Sequence, residues 1–225
     1  MWGPSQSQSD IARILEELTG FSGEKIKINL TTIGGSFGGK QAKDALRQAL
    51  YLSEKLHKPI QLMWTREHEM QNSYPMQMSQ HRVQIGLDEK KYPEFWHHRI
   101  AASHSAAHRD EFFRGWTKSE DWGTRPYEPN CADGLPPLYK VGKFDFQLKF
   151  EDLGIPSYNL RTTGSTQNCF VTESAVDELA NFAGADPLNY RLNLLSGNER
   201  CSKILEDLSR KSSWTSRLDD GFGRG

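Results

Sequence analysis

The run Gly34-Gly35-Ser36-Phe37-Gly38-Gly39-Lys40 constrains this chain more than any other stretch. Glycines at these positions let the backbone adopt positive φ and approach a ligand closely. Lys25 to Thr32 before it alternates, with Ile26, Ile28 and Leu30 on one face and Lys25, Lys27 and Asn29 on the other. That pattern predicts a half-exposed strand. A helical run from about Lys40 to Leu56 follows, with Ala42, Ala45, Leu46, Ala49 and Leu52 on its inner face. Strand, glycine turn and helix start in succession offer free N–H groups to an anion.

Three chemistries share that geometry. Gly34-x-x-x-x-Gly39-Lys40 matches most of a P-loop, but Gln41 stands where a hydroxyl should hold Mg²⁺. The predicted strand Ile60 to Trp64 leads into Thr65-Arg66-Glu67 and supplies no aspartate. Gly34-Gly35-Ser36-Phe37-Gly38 also fits GxSxG, which would make Ser36 the nucleophile of a serine hydrolase. Of the histidines such an enzyme needs, His97, His98, His104 and His108 cluster on or just after a hairpin, and the βα alternation stops after two units. The third chemistry is non-covalent binding of a larger anionic cofactor, with Phe37 at the apex packing on a planar group or shielding a reactive centre. In the bland alternative Phe37 plugs the core.

The rest of the chain supplies a scaffold. Ile11, Leu15 and Leu18 mark a first helix, capped by Ser9 or Asp10 and ended by Gly20. His81–Leu87 alternates, Asp88–Glu94 is a polar turn, and Phe95–Ile100 resumes as a strand, which predicts an antiparallel hairpin. From Ser103 to Val141 no period holds, and Trp116, Trp122, Tyr127 and Tyr139 are scattered through it. Phe144, Phe146, Leu148 and Phe150 alternate strictly, the clearest strand of the chain. Val171, Ala175, Leu179 and Phe182 line a helix that Gly184 closes. Asp186-Pro187 opens another, to about Leu195, and Ile204, Leu205 and Leu208 mark a last. The fold class is α+β, a mixed sheet with packed helices.

Composition removes other classes. The 225 residues are only 36% hydrophobic and carry a net charge of -1, with no basic surplus for nucleic acid. No run of about 18 apolar residues exists to span a membrane, and the first ten residues lack the features of a secretory signal. Location therefore defaults to the cytoplasm, with the periplasm open to a full-length subunit. Cys131, Cys169 and Cys201 are three and widely spaced, which suits neither a disulfide framework nor a thiolate zinc site. His97 and His98 are adjacent on a strand and point to opposite faces, a poor metal pair. Glu67, Glu69 and Asp88 read as solvated charges, and Asp177-Glu178 as outward-facing or paired within the helical third.

Several separated motifs then align with one family. GGSFGGK at 34–40 resembles the glycine turn of the xanthine dehydrogenase/aldehyde oxidase molybdenum subunits, and Trp2 to Gln6 stands in the place of that family's Thr-Gln motif. LRTTGSTQNCFVTESAVDELANFAGADPLNYRLNLL at 160–195 is similar to its arginine–glycine loop and the helix beyond. WTREHEM at 64–70 and HRVQIGLD at 81–88 add to this, and the whole is most similar to the isoquinoline 1-oxidoreductase beta subunit branch. The resemblance implies a molybdenum ion held by a pterin dithiolene, often that of a cytosine dinucleotide, with no side-chain metal ligand. Gln6 would then hydrogen-bond an oxo group. Gly35, Ser36, Phe37, Gly38 and Gly39 would form the turn beside the metal, Arg161 would line the centre, and Gly164 would let backbone approach. Neutral amides, one cation and N–H groups suit a polyanionic cofactor.

The resemblance also implies hydroxylation of an aldehyde or N-heteroaromatic substrate, with electrons leaving through a [2Fe–2S] partner subunit. Gln41 stands where xanthine-type enzymes have a substrate-binding glutamate, and Thr163 where they have a stacking phenylalanine; both departures argue against a purine. The family's general base lies in a late Gly-x-Gly-Glu segment that this chain does not contain. Residues 1–225 are therefore expected to be the first molybdopterin-binding domain of a longer subunit, without its upstream domain and its C-terminal catalytic-base domain, and inactive alone. The rivals are a serine hydrolase using Ser36 and a non-catalytic remnant that binds no cofactor.

Overall fold

The computed structural model describes residues 1–103, 129–151, 153–155, 157–158 and 160–223. His104, His108, Trp116, Trp122 and Tyr127, which the sequence reading assigned to an irregular stretch, lie outside the described residues. The chain forms two compact units. The first gathers residues 1–78 with Ser103 and the described residues among 152–163; the second gathers Ser79–Ala102, Pro129–Glu151 and the chain from Gly164 on.

In the first unit, strands β1 (Trp2–Gly3) and β2 (Asn29–Leu30) run parallel, Trp2 opposite Asn29 and Gly3 opposite Leu30. The expected strand from Lys25 to Thr32 shrinks to two residues. Its partner is only two residues long, so the ladder has nothing further to bond, and 23–25 instead form a 3₁₀ turn. Helix α1 (Gln8–Thr19) buries Ile11, Ile14 and Leu15. It is capped by Ser7 rather than Ser9 or Asp10, with Ser7 Oγ donating to Asp10 Oδ2 at 2.6 Å, and it closes at Gly20 with φ 68°. Leu18, expected inside, is exposed.

Helix α2 (Asp44–Leu56) starts four residues later than expected, and none of its residues is fully buried. Helix α3 (Arg66–Asn72) is capped by Thr65, whose side chain accepts from the His68 N–H. No strand forms at Ile60–Trp64. Trp64 Nε1 donates to Gln48 Oε1 at 2.8 Å, so a tryptophan counted toward a strand holds an extended segment against α2.

The second unit follows the sequence closely. Strands β3 (Ser79–Leu87) and β4 (Pro93–Ala102) pair antiparallel, and β5 (Lys143–Phe150) joins β4 in parallel, giving a mixed sheet in the order β3-β4-β5. The hairpin turn closes through Asp88, whose Oδ1 and N–H bond the Tyr92 N–H and carbonyl. At Gly142 a Cβ would collide with the Glu94 carbonyl, so only glycine lets β5 enter there. Trp96, His98, Ile100 and Ala102 form the buried row of β4.

Helix α4 (Ser165–Ala183) covers this row. It buries Asn168, Thr172, Val176, Leu179 and Ala180; of the predicted stripe Leu179 is buried, whereas Val171 and Ala175 are only partly so and Phe182 is exposed. Phe182 is exposed beneath the Lys91 ammonium, 5.5 Å from its ring centre. The face is set by a polar residue: Asn168 Nδ2 donates to the carbonyls of Cys131 and Asp133, each at 2.8 Å. A count of apolar positions cannot register that bond.

Helix α5 (Pro187–Leu194) begins as expected, Asp186 accepting from the Asn189 N–H at 2.9 Å. Asp186→Ala is expected to lower stability by about 1 kcal/mol, read from the urea midpoint. Arg191 of α5 reaches back to α4, donating to Glu173 Oε2 at 2.9 Å and Asp177 Oδ1 at 2.6 Å, while Tyr139 donates to Glu173. Burial, with the Glu173 carboxylate beside it, pushes the Tyr139 phenol well above its ordinary value. Asp177 is thus paired, as one of the two expectations had it. Helix α6 (Glu199–Ser212) has no buried residue, and Ile204 and Leu208 are half exposed. No disulfide joins the three cysteines. Among the described residues no helix is long and apolar enough to cross a membrane.

Candidate functional site

The glycine turn lies in the first unit and departs from a strand–turn–helix in one important way. After Gly38 the backbone passes through a 3₁₀ turn, Gly39–Gln41, and an extended Ala42 before α2 begins at Asp44. The start of α2 is therefore not the group the turn presents, and the donors on offer are those of the turn itself. Gly34 takes φ 72° and Gly38 φ 97°, where any side chain would be strained. Phe37 adopts φ 46° between them, a conformation uncommon outside glycine and often kept where function requires it.

Two short bonds shape the loop, Gly39 N–H to Ser36 O at 2.8 Å and Gln41 N–H to Gly38 O at 3.0 Å. The Lys40 ammonium donates to the carbonyls of Ile33 and, at 3.2 Å, of Gly35. Among the described residues no acceptor takes the N–H of Gly34, Gly35, Ser36, Phe37 or Gly38. A row of unpaired backbone donors around a positive-φ residue is a receptor for anionic oxygens.

Phe37 does not plug the core. Its ring is 66% exposed, and the Arg161 guanidinium carbon sits 5.3 Å from the ring centre. Contacts of this kind contribute roughly 0.5–1 kcal/mol when exposed. A Cβ on Gly35 would approach Phe37 Cε2 to 3.3 Å, so a side chain there would push the ring aside by a few tenths of an ångström. Arg161 is carried by a tight turn in which the Thr163 N–H bonds Leu160 O at 2.8 Å. Thr162 (φ 70°) and Thr163 (φ 49°) are both left-handed, which is costly for β-branched residues. Thr162 Oγ1 donates to Arg161 O and Thr163 Oγ1 to Thr162 O, so the hydroxyls help hold the turn.

A cavity of about 1050 Å³ opens beside these segments within the same unit. Trp2, Ser5, Ser36, Gly39 and Leu160 are in its wall, with Leu46, Ala49 and Leu50 of α2. Three predicted segments, at residues 2–6, 34–40 and 160–163, thus contribute to one hollow. Phe37 and Arg161 are in direct contact. Gln6 follows the lining residue Ser5 and is exposed, with no side-chain bond among the described residues. Gln41 follows the turn, its N–H used internally. Gly164 belongs to the second unit, where it is buried and caps α4.

Other candidates fall away. Ser36 Oγ has no histidine partner among the described residues; His104 and His108 lie outside them. No group of three or more His, Cys, Asp or Glu side chains gathers as a metal site among the described residues. His97 Nδ1 lies 2.6 Å from Asp145 Oδ2 and its Nε2 accepts from Arg99 Nε, while His98 Nε2 meets His81 Nδ1 at 2.9 Å. These are structural bonds of the sheet. Sequence reasoning missed the grip of Lys40 on its own turn, because the P-loop pattern assigns that lysine to a phosphate.

The profile of the molybdopterin cofactor-binding domain family matches residues 1–194. The chain belongs to that family. Among curated relatives, the isoquinoline 1-oxidoreductase subunit beta of Brevundimonas diminuta is 25% identical over 230 residues, covering 98% of this chain and 27% of that one. The molybdenum-binding subunit PaoC of an Escherichia coli aldehyde oxidoreductase is 27% identical over 173 residues, 75% of this chain and 21% of that one. This molybdopterin-binding chain thus spans about a quarter of the length of such relatives. Quinoline 2-oxidoreductase from Pseudomonas putida 86 shares the fold at TM-score 0.67 and 16% identity, over 85% of this chain and 23% of that one. Aldehyde oxidoreductase from Desulfovibrio gigas does so at 0.64 and 16%, over 81% and 19%. The serine-hydrolase reading of Ser36 is displaced by this membership.

Proposed function

We infer that the chain is the cofactor-holding portion of a molybdenum hydroxylase acting on aldehydes or N-heteroaromatics, and that residues 1–225 form its first molybdopterin-binding domain. The observation that carries this reading is the Arg161 guanidinium over the exposed Phe37 ring, 5.3 Å from its centre, beside a row of unpaired N–H donors. When bound, the cofactor supplies the redox chemistry of oxygen transfer to a substrate C–H bond. The residues here do the holding. The N–H groups of Ser36, Phe37 and Gly38 receive anionic oxygens, Gly35 and Gly39 admit close approach, and Arg161 adds a cation beside the turn. Gln6 offers a neutral amide.

Phe37 presents a flat apolar surface that excludes water from one side of the centre. Gln41 and Thr163 replace charged and aromatic substrate contacts with small neutral ones, which suits a substrate other than a purine. The cytosine dinucleotide form of the pterin, a [2Fe–2S] partner subunit and a further molybdopterin-binding domain that completes the site belong to the same proposal.

The test is cofactor content. The chain, co-produced with the complementing portion of a relative in a host that makes molybdopterin, is expected to carry molybdenum and pterin in equal amounts. Arg161→Ala with Phe37→Ala is expected to lower both by more than about tenfold, a factor worth 1.4 kcal/mol. Wild-type chain without metal or pterin would favour the non-catalytic remnant instead.

A further inference from the structure

We propose that Lys40 is a positioning residue that aims and polarises the backbone donors of the glycine turn, rather than a ligand of the cofactor's anionic groups. The idea rests on the reading above that this turn receives those groups. The Lys40 ammonium donates to two carbonyls of its own loop, Ile33 O and Gly35 O. A peptide unit is planar and trans, so its C=O and N–H point in opposite directions. Holding Ile33 O toward Lys40 turns the Gly34 N–H away from it, and holding Gly35 O does the same for the Ser36 N–H. Neither N–H has an acceptor among the described residues, so both stay available as donors.

Glycines at 34 and 35 make these peptide units easy to flip, because glycine populates positive and negative φ almost equally. Without a brace the loop samples orientations in which carbonyls replace N–H groups on the binding side. A carbonyl facing an anion repels it. The cation also withdraws electron density through each gripped C=O, which sharpens the N–H opposite. The same grip holds both ends of Gly34-Gly35, and so keeps Phe37 at φ 46° with its ring over Gly35 and under Arg161. In a P-loop the equivalent lysine reaches the phosphates; here its bonds are turned inward.

The experiment compares wild type, Lys40→Met and Lys40→Arg in two states. In cofactor-free protein, amide chemical shifts of Gly34, Ser36 and Phe37 are expected to move strongly with Lys40→Met and return part-way with Lys40→Arg. In protein produced with the cofactor, Lys40→Met should lower molybdenum and pterin content roughly 10–100-fold, the scale of losing a group that orients a ligand without touching it. Unmoved shifts in the cofactor-free state together with lost cofactor would make Lys40 a direct ligand and overturn the proposal. Moved shifts with full cofactor content would overturn it as well. If wild type itself holds no cofactor, the functional reading above fails, whereas the brace is still judged by the cofactor-free shifts.

Discussion

Trp96→Ala is expected to destabilise the second unit by about 3–5 kcal/mol, the range for removing a large aromatic from a closed core. Trp96 is fully buried and packs with Val176, Leu179, Ala180, Tyr190 and Leu194, so its loss loosens β4 from α4 and α5 together. Trp96→Phe is expected to cost less than half as much. It keeps a ring in the hollow and removes the indole N–H, which is buried with no acceptor among the described residues. An orphaned donor of that kind costs about 1–3 kcal/mol, which offsets part of the lost volume. Urea unfolding followed by far-UV circular dichroism measures both. A Trp96→Ala penalty below about 1 kcal/mol would show that this contact does not hold the unit together.

Acidification should weaken the same unit through His98. The side chain is fully buried with its Nε2 2.9 Å from His81 Nδ1, and burial, with His81 and His97 as neighbouring partial charges, lowers its pKa from 6.5 to about 4. The unfolded chain therefore takes up a proton near pH 6.5 that the folded chain refuses until about pH 4. Stability from this group is whole above 6.5, falls as pH drops, and levels off below 4. The total loss is about 3 kcal/mol, with a slope of at most about 1.4 kcal/mol per pH unit. Burial also lowers the His81 pKa, which adds to the fall in the same direction. The stability difference between wild type and His98→Leu, measured from pH 7 to pH 4, should change by that amount. A difference that stays flat would mean that His98 is hydrated or protonated in the fold.

Much of the second unit was legible in residue order. Alternation at 81–87 and 144–150, with the segment 95–100 resuming after the turn, predicted three strands, and three strands form, each hydrogen-bonded along its edge to a neighbour. Asp186-Pro187 and Gly184 marked helix ends through local bonds that need no distant partner. The first unit was read less well. Lys25–Thr32 and Ile60–Trp64 carry the pattern of strands, yet only Asn29–Leu30 pairs, since a strand exists only where another offers its edge. The inward face of α4 was misread by one position, because a buried asparagine outweighed an exposed phenylalanine.

The candidate site divides in the same way. The glycines, Phe37 and Arg161 could be named from order and spacing, and the family followed from motifs standing in sequence. The chain alone fixed which residues are able to take positive φ and which carry charge, since those are properties of single side chains. It could not fix the contact of Arg161 with Phe37, the turning of Lys40 toward its own carbonyls, or the hollow shared by residues 2–5, Ser36, Gly39 and Leu160. Those depend on which distant segments share the available space, and only the folded packing of the first unit decides that.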